Sequence, residues 1–433
     1  MAGALTALQR VAAGQESTGG VEVAATRIVP HLTGSSFTEN EERQRLEEAR
    51  GVLGHVDDVL TRRMSTLELQ QELDVDMCLL AFLCGVENAT GQAADGTTTP
   101  YTYTFRGGVT SPRAKASATW EILQSDGVAD HILRRFGNAR PQTIGIEWNA
   151  GGTTRLNTTW MGQAAEAVSK AALSLNALAS RQVIPADLWT VAIDDSWATL
   201  GDTAAANVRA LTWALTTGLT PSYHLRGRTR FDMDGWYDGR IELALSITMD
   251  LDAAAAEEVA HWRDGDLRYV KLATTRGTAG TLRSVTIDQA IRIIGSPNLL
   301  GSDGEQSTVQ FDAELRANPA DLDDEFLQIV VLSGLSSWAN VALPNVPRSL
   351  TVTAGNDQLI VAWNAPSGGG TVTNYLVRYR PRGSSDEWTE IVIESGRTTT
   401  LTGLASVATY DVQVRAQNAG GYSNFVSGQG TTT

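Results

Sequence analysis

The chain is 433 residues long, with 42% apolar and 19% charged residues and a formal charge of −15. That length exceeds one ordinary core and predicts two or three folded domains. The composition excludes a disordered chain, and the acidic balance excludes a protein that grips nucleic-acid phosphate. The deficit is uneven: residues 344–433 hold six arginines, no lysine and six acids, so residues 1–343 carry 28 basic against 43 acidic side chains. An acidic body suits solubility and a surface that does not stick to DNA.

The first residues have no basic stretch followed by a long apolar core, so a secretory signal is not expected. No apolar run approaches the length of a membrane span. Residues 1–50 read as an extended arm with a few paired strands, then a charged loop or solvated face at 39–48. Strands are predicted at 53–59 and 67–73. Asp74 then caps a helix from Val75 to about Val86. Cys78 and Cys84 fall on different faces of that helix, which favours buried thiols over a bridge or a metal pair and fits assembly in a reducing cytoplasm. A loop rich in glycine and threonine follows at 88–100.

Strands rich in β-branched and aromatic residues are predicted at 101–105, 116–123 and 142–148. Residues 160–180 are ambiguous between helix and loop. Further strands fall near 189–193, 209–217, 240–250, 267–275, 284–294, 307–315 and 326–332. A short helix at 253–261, capped by Asp252, interrupts them. The body is therefore mainly β with a few helices. It also contains an echo. Ala118-Thr-Trp120 is answered by Leu211-Thr-Trp213, and His131 and His224 each follow their tryptophan by eleven residues. A duplication would make residues of about 30–180 and 181–343 two β-rich domains; shared local β-structure or chance would produce the same echo.

No pattern carries chemistry. The five histidines, His31, His55, His131, His224 and His261, are scattered without metal-ligand spacing. Asp232-Met-Asp234-Gly235 starts like a calcium loop but lacks the later ligands, which predicts a turn. Asp194-Asp195 and Asp323-Asp324-Glu325 are acid pairs of the kind glycoside hydrolysis uses, but adjacent acids are expected by chance among 49. There is no phosphate loop, nucleotide fingerprint or nucleophile elbow. Most of the eleven tryptophans lie in alternating runs and read as core. No catalytic, cofactor-binding or metal-ligating residue is assigned, and no enzymatic activity is expected.

Residues 344–433 read as about seven short alternating strands, the arithmetic of a small β-sandwich. They run near 350–353, 359–363, 375–379, 388–393, 398–401, 410–416 and 425–426. This stretch resembles a fibronectin type III domain. The resemblance rests on Pro347, Leu350, Val352, Trp363, Tyr375-x-Val-x-Tyr379 and Leu404…Tyr410-Asp-Val-x-Val-x-Ala416-x-Asn418. It implies that Tyr410 is a corner tyrosine with its ring in the core. Such a module serves as spacer, adhesive unit or decoration, and fold alone does not say which.

The body resembles a tail tube protein of a long-tailed bacteriophage, a siphovirus. The matching residues are Gln15-Glu-Ser-Thr…Val23-Ala-Ala-Thr-Arg27, Glu47-Glu-Ala-Arg-Gly51, Ser65-Thr-Leu-Glu-Leu leading into 79–85, Trp213-x-Leu…Thr217-Gly-Leu219 and Leu282-Arg283. The resemblance implies a β-sandwich with a flanking helix whose inner strands join a closed barrel around a channel. It implies rings stacked through the N-terminal arm and a long loop. Double-stranded DNA would pass without specific binding during ejection into the host. Three chains with two fused tube domains would form each ring; a hexamer of single domains is the alternative. Tail terminator, tape measure and distal tail proteins are the implied partners, and the virion, assembled in the host cytoplasm, the implied location. Competing expectations are another virion component, an adhesin, or a secreted carbohydrate-active enzyme with an accessory domain.

Overall fold

The computed structural model describes residues 9–25, 27–45, 58–93, 100–108, 111–125, 130–168, 183–224, 232–278, 281–303, 306–318, 326–335, 338, 344–367, 372, 374–384, 388–418, 421–423 and 425–433. The expected features at 46–57, 169–180 and 323–325 lie outside them. The chain divides into two compact units, Met1–Trp338 and Ala339–Thr433.

The first unit is mainly β. Its strands are β1 (Arg10–Gln15), β2 (Arg27–Val29), β3 (Ser36–Arg45), β4 (Asp58–Glu72), β5 (Gln92–Ala93), β6 (Tyr101–Arg106), β7 (Ala118–Ser125), β8 (Asp130–Asn149), β9 (Arg155–Gly162) and β10 (Glu166–Ala167). They continue with β11 (Trp189–Asp194), β12 (Val208–Thr216), β13 (Leu219–Ser222), β14 (Gly235–Asp238), β15 (Glu242–Asp250), β16 (Arg268–Arg276), β17 (Arg283–Asp303), β18 (Gln306–Leu315) and β19 (Leu327–Ser333). Helices α1 (Val75–Gly85) and α2 (Ala253–Asp264) follow β4 and β15.

The strand pairings occur twice in the same order. In the first half β3, β4, β9 and the second part of β8 lie side by side. In the second half β12, β15, β18 and the second part of β17 do so. The first parts of β8 and β17 pair with other strands. There β1, β7, β8 and β10 are matched by β11, β16, β17 and β19. Each half also carries its helix after the same sequence, an acid, a leucine and a capping aspartate: Glu72-Leu73-Asp74 and Asp250-Leu251-Asp252. Trp120 lies on β7 and Trp213 on β12, which are not equivalent positions in this scheme. The tryptophan echo in the sequence therefore does not mark the repeat.

Two insertions tie the halves together. Strand β6 of the first half pairs with β19 of the second. The β13–β14 hairpin of the second half reaches the first, where Trp236 Nε1 donates to the Asn138 carbonyl at 2.9 Å. Between the halves β8 pairs with β12, so the two four-stranded sets form one eight-stranded sheet.

The helices differ because their sequences differ. In Val75–Gly85 only Asp76 is not apolar or glycine, and the helix is buried nearly all round, as an all-apolar helix must be. Gly85 allows that close fit: a Cβ there would come within 2.9 Å of Ile144 and Pro141. Asp76 is spent on the second half, accepting from Ser333 Oγ at 2.6 Å and Gly334 N at 2.8 Å. Helix α2 buries only Ala255, Glu258 and Val259 and ends on left-handed Gly265. Cys78 and Cys84 are free and buried on α1, and burial pushes both thiols up, so they stay protonated and inert.

One expectation needs correction. For the charged segment near 39–48 the solvated face holds and the loop does not: residues 36–45 form the strand β3. Every residue from Thr38 to Gln44 on it is exposed. Charge therefore signalled solvent exposure but not loop, because a two-residue alternation is invisible when both faces are wet. Strand β9 and the β13–β14 hairpin are additions to the predicted elements.

The second unit has a sheet of β20 (Arg348–Gly355), β21 (Gln358–Asn364) and β24 (Thr398–Thr402). The other sheet holds β22 (Asn374–Pro381), β23 (Thr389–Ile393), β25 (Thr409–Asn418), β26 (Gly421–Tyr422) and β27 (Val426–Thr431). Leu359, Val361, Trp363, Tyr375, Val377, Leu401, Tyr410, Val412 and Val414 form its core. The Tyr410 hydroxyl accepts from Ala405 N at 2.9 Å, which is the corner arrangement of such sandwiches.

Candidate functional site

The broadest functional feature is the open face of the eight-stranded sheet. Alternation sends Trp148, Trp160, Trp213, Leu245, Ile247 and Phe311 into the core. The residues between them face outward. Row by row across the strands they read Ser36, Glu68, Thr159, Thr143, Thr216 and Glu242; then Gln70, Asn157, Gly145, Ala214, Ala244, Glu314 and Arg292; then Glu72, Arg155, Glu147, Thr212, Ser246, Asp312 and Ile294. Apart from Ile294 at the β17 edge, these side chains are small or polar. Carboxylates outnumber the cations in these rows, and no lysine occurs on any of the eight strands. Such a face offers phosphate neither a cationic clamp nor an aromatic stacking platform.

The sheet has two bare edges at opposite ends. Among the described residues β3 pairs only with β4, and β17 from Arg292 onward pairs only with β18. Beyond Ser65, where β9 ends, β3 and β4 continue as a two-stranded ribbon. Charge pairs line it: Arg43 with Glu41 at 3.1 Å and with Asp58 at 3.4 Å, Arg63 with Glu41 at 2.5 Å, and Arg62 with Glu42 at 3.5 Å. Arg62 also covers the Tyr223 ring at 4.9 Å, joining the ribbon to the loop beyond β13.

Near the N-terminal segment, the Gln15-Glu-Ser-Thr stretch owes its shape to Glu16. Its buried carboxylate accepts from Gly20 N at 2.8 Å, Ser117 Oγ at 2.5 Å, Thr119 Oγ1 at 2.9 Å and Asn138 N at 2.7 Å. This single side chain ties the arm to β7 and β8. Its neighbour in space, buried Glu121, takes Arg135 Nε at 2.7 Å.

The acids singled out in the sequence that lie among the described residues have structural partners. Asp194 accepts from Gly201 N at 2.7 Å and Thr203 N at 3.1 Å, shaping a loop. Asp195 contacts Arg268, whose Nε and Nη2 also grip Glu258 at 3.1 and 2.6 Å. A cavity of about 330 Å³ lies beside them, lined by Asp194, Asp195, Glu257, Glu258 and Arg268 among others. Burial pushes the Glu258 carboxyl up to about 7, against the opposing charge of His261. Asp234 holds His224, with its Oδ2 2.6 Å from the His224 backbone N and 3.2 Å from Nδ1. His261 Nδ1 lies 2.8 Å from Asp266, and His31 is half-buried, which lowers its pKa. His55 lies outside the described residues, and His131 stands on β8. Among the described residues no group of three or more His, Cys, Asp or Glu is gathered as a metal site requires. Nor, among the described residues, is any helix long and apolar enough to cross a membrane.

On the second unit, three arginines and two aromatics interleave on the outer face of the β22–β25 sheet. Arg378 lies 4.6 Å from the Trp388 ring and 3.8 Å from that of Phe425. Arg380 lies 4.5 Å from Trp388, and Arg415 4.7 Å from Phe425. The ladder sits beside the buried Leu376.

A family profile described as "Phage tail tube protein" matches residues 6–315, the span holding both repeats of the sheet. The chain belongs to the phage tail tube protein family. A "Fibronectin type III domain" profile matches residues 345–432 of this tail tube protein. No curated protein matches the chain. Solved structures similar to it include a computationally redesigned β-sandwich protein (27% identity over 20% of this chain and 94% of that one) and the FN5 domain of Drosophila Lar (20% identity, 21% and 97%). A fibronectin type III domain of human collagen XX shows 27% identity over 21% and 92%. Each has a TM-score of 0.19. The protein is accordingly a structural component of a phage tail. Both matched families are structural kinds.

Proposed function

We propose that this tail tube protein carries two fused tube domains in residues 1–343, and that its copies join edge to edge into rings around a channel. The observation that carries this reading is the eight-stranded sheet: it repeats one four-stranded plan twice, ends in two bare edges, and keeps one face mostly small and polar, with more carboxylates than cations. An edge strand exposes unpaired N–H and C=O groups, and closure into a ring satisfies them. Three chains supply six equivalent sheet segments per ring. The open face lines the bore, where carboxylates repel the phosphate backbone and let double-stranded DNA slide during ejection.

Rings stack through the N-terminal arm and the charged ribbon of β3 and β4. Tail terminator, tape measure and distal tail proteins are the partners, and assembly takes place in the host cytoplasm. The fibronectin type III unit, residues 344–433, decorates the outside. Negative-stain microscopy of the purified protein tests this reading, the expected result being rings or tubes with an axial hole. Replacing Glu147, Asp312 and Glu314 by lysine is expected to leave the tubes intact but make them retain DNA at low salt. Monodisperse monomers at every concentration, or tubes whose DNA retention is unchanged by the reversal, contradict it.

A further inference from the structure

The seam inside the chain is a template for the seam between copies, and this inference rests on the ring assembly proposed above. Within the chain, β8 of the first half pairs antiparallel with β12 of the second. The repeat makes β17 equivalent to β8 and β3 equivalent to β12. The two bare edges of the sheet are therefore the same two strand types that already pair internally.

The equivalences can be followed residue by residue from the helix caps. Aligning Asp74 with Asp252 aligns Thr66 with Ala244 and Gln70 with Thr248. Thr66 faces Thr38, and Ala244 faces Ala214, so Thr38 corresponds to Ala214. Gln70 leads through Asn157 to Gly145, and Thr248 through Gln310 to Asn298, so Gly145 corresponds to Asn298. Ala214 faces Gly145 in the internal seam. The same construction on the flanking rows relates Thr212 to Ser36, Glu147 to Gly301, Thr216 to Asn40 and Thr143 to Ile294.

We infer that β17 of one copy pairs antiparallel with β3 of the next, setting Gly301 opposite Ser36, Asn298 opposite Thr38, and Ile294 opposite Asn40. Surface properties agree with a second copy as the occupant. Phe37 corresponds to the buried Trp213 but is only partly buried in the single chain. Leu299, in the bulged stretch that replaces Ile146, is 43% exposed, whereas Ile146 is buried. Strand β17 shifts register between Ile294 and Asn298 and again between Asn298 and Gly301. It also contains Pro297, which has no N–H to donate. Bulges and proline blunt an edge against wrong partners before the right one arrives.

Disulfide cross-linking tests the register. Opposed residues in an antiparallel pair have Cα atoms about 4.5–5.5 Å apart, within reach of a disulfide, and the native Cys78 and Cys84 are buried. The pair Thr38→Cys with Asn298→Cys is expected to give covalent oligomers of assembled protein on oxidation. Thr38→Cys with Gly301→Cys should give at least ten-fold less. Circular dichroism under reducing conditions checks that each variant folds. Rings whose 38/298 pair stays uncoupled, or couples no better than 38/301, overturn the register and leave the tube reading standing. Absence of any ring or tube by microscopy overturns both.

Discussion

Individual side chains in this protein are spent on joining segments far apart in sequence. Glu16 gathers four donors from three stretches, and Asp76 crosses from one repeat to the other. The buried Glu258–Arg268 fork is of the same kind; removing one partner of such a pair strands the other charge. His261 gives a prediction at this scale. Its hydrogen bond to Asp266 raises its pKa from the ordinary imidazole value, with the nearby charge of Glu258 adding to the effect. The protonated form is therefore favoured in the folded state. The stabilisation it brings to the end of α2 is fully present below about pH 6.5 and is lost as pH rises through the folded value. Asp266→Asn should move the His261 midpoint down, read by NMR titration of the imidazole; an unchanged midpoint contradicts the assigned cause.

At the scale of elements, the two helices begin alike and end in different surroundings. Asp74 accepts from Asp76 N at 3.0 Å, and Asp252 from Ala255 N at 3.0 Å. Losing such a cap costs about 1 kcal/mol, range roughly 0.5–2. Asp252→Ala, at the exposed start of the half-exposed α2, is expected near that figure. Asp74→Ala should cost more, because Asp74 is buried beside a helix with no wet face and burial raises the penalty for unmet polar groups. Urea denaturation of the two variants compares them, with Asp252→Ala the costlier change as the adverse outcome.

For the whole molecule, the division into two units sets the expectation. The 344–433 unit has its own core and its own satisfied corner, and among the described residues its strand pairings are internal. Removing residues 344–433 should leave tube assembly intact and yield smoother tubes in micrographs. Loss of assembly on truncation would show that the module does more than decorate.

Much of this was legible from sequence for local reasons. The terminal sandwich announced itself because each of its strands has one dry face, so apolar residues alternate. The helix starts at Asp74 and Asp252 were readable because a cap needs one residue type at one position. Buried Cys78 and Cys84 followed from an all-apolar helix. The charge of β3 signals its solvation but not its strand form, since a strand wet on both faces carries no alternation. The repeat was also hidden: Trp120 and Trp213 resemble each other in sequence but occupy different strands, whereas Phe37 and Trp213, which correspond, share little local sequence. Equivalence here lies in hydrogen-bond partners, which only long-range pairing creates. Sequence by itself determined a β-rich acidic body and a fibronectin-like appendage, because composition and periodicity are local quantities. Tertiary structure decided which side chains share the wet face and which two edges stay bare, because both depend on strands brought together from opposite ends of the body.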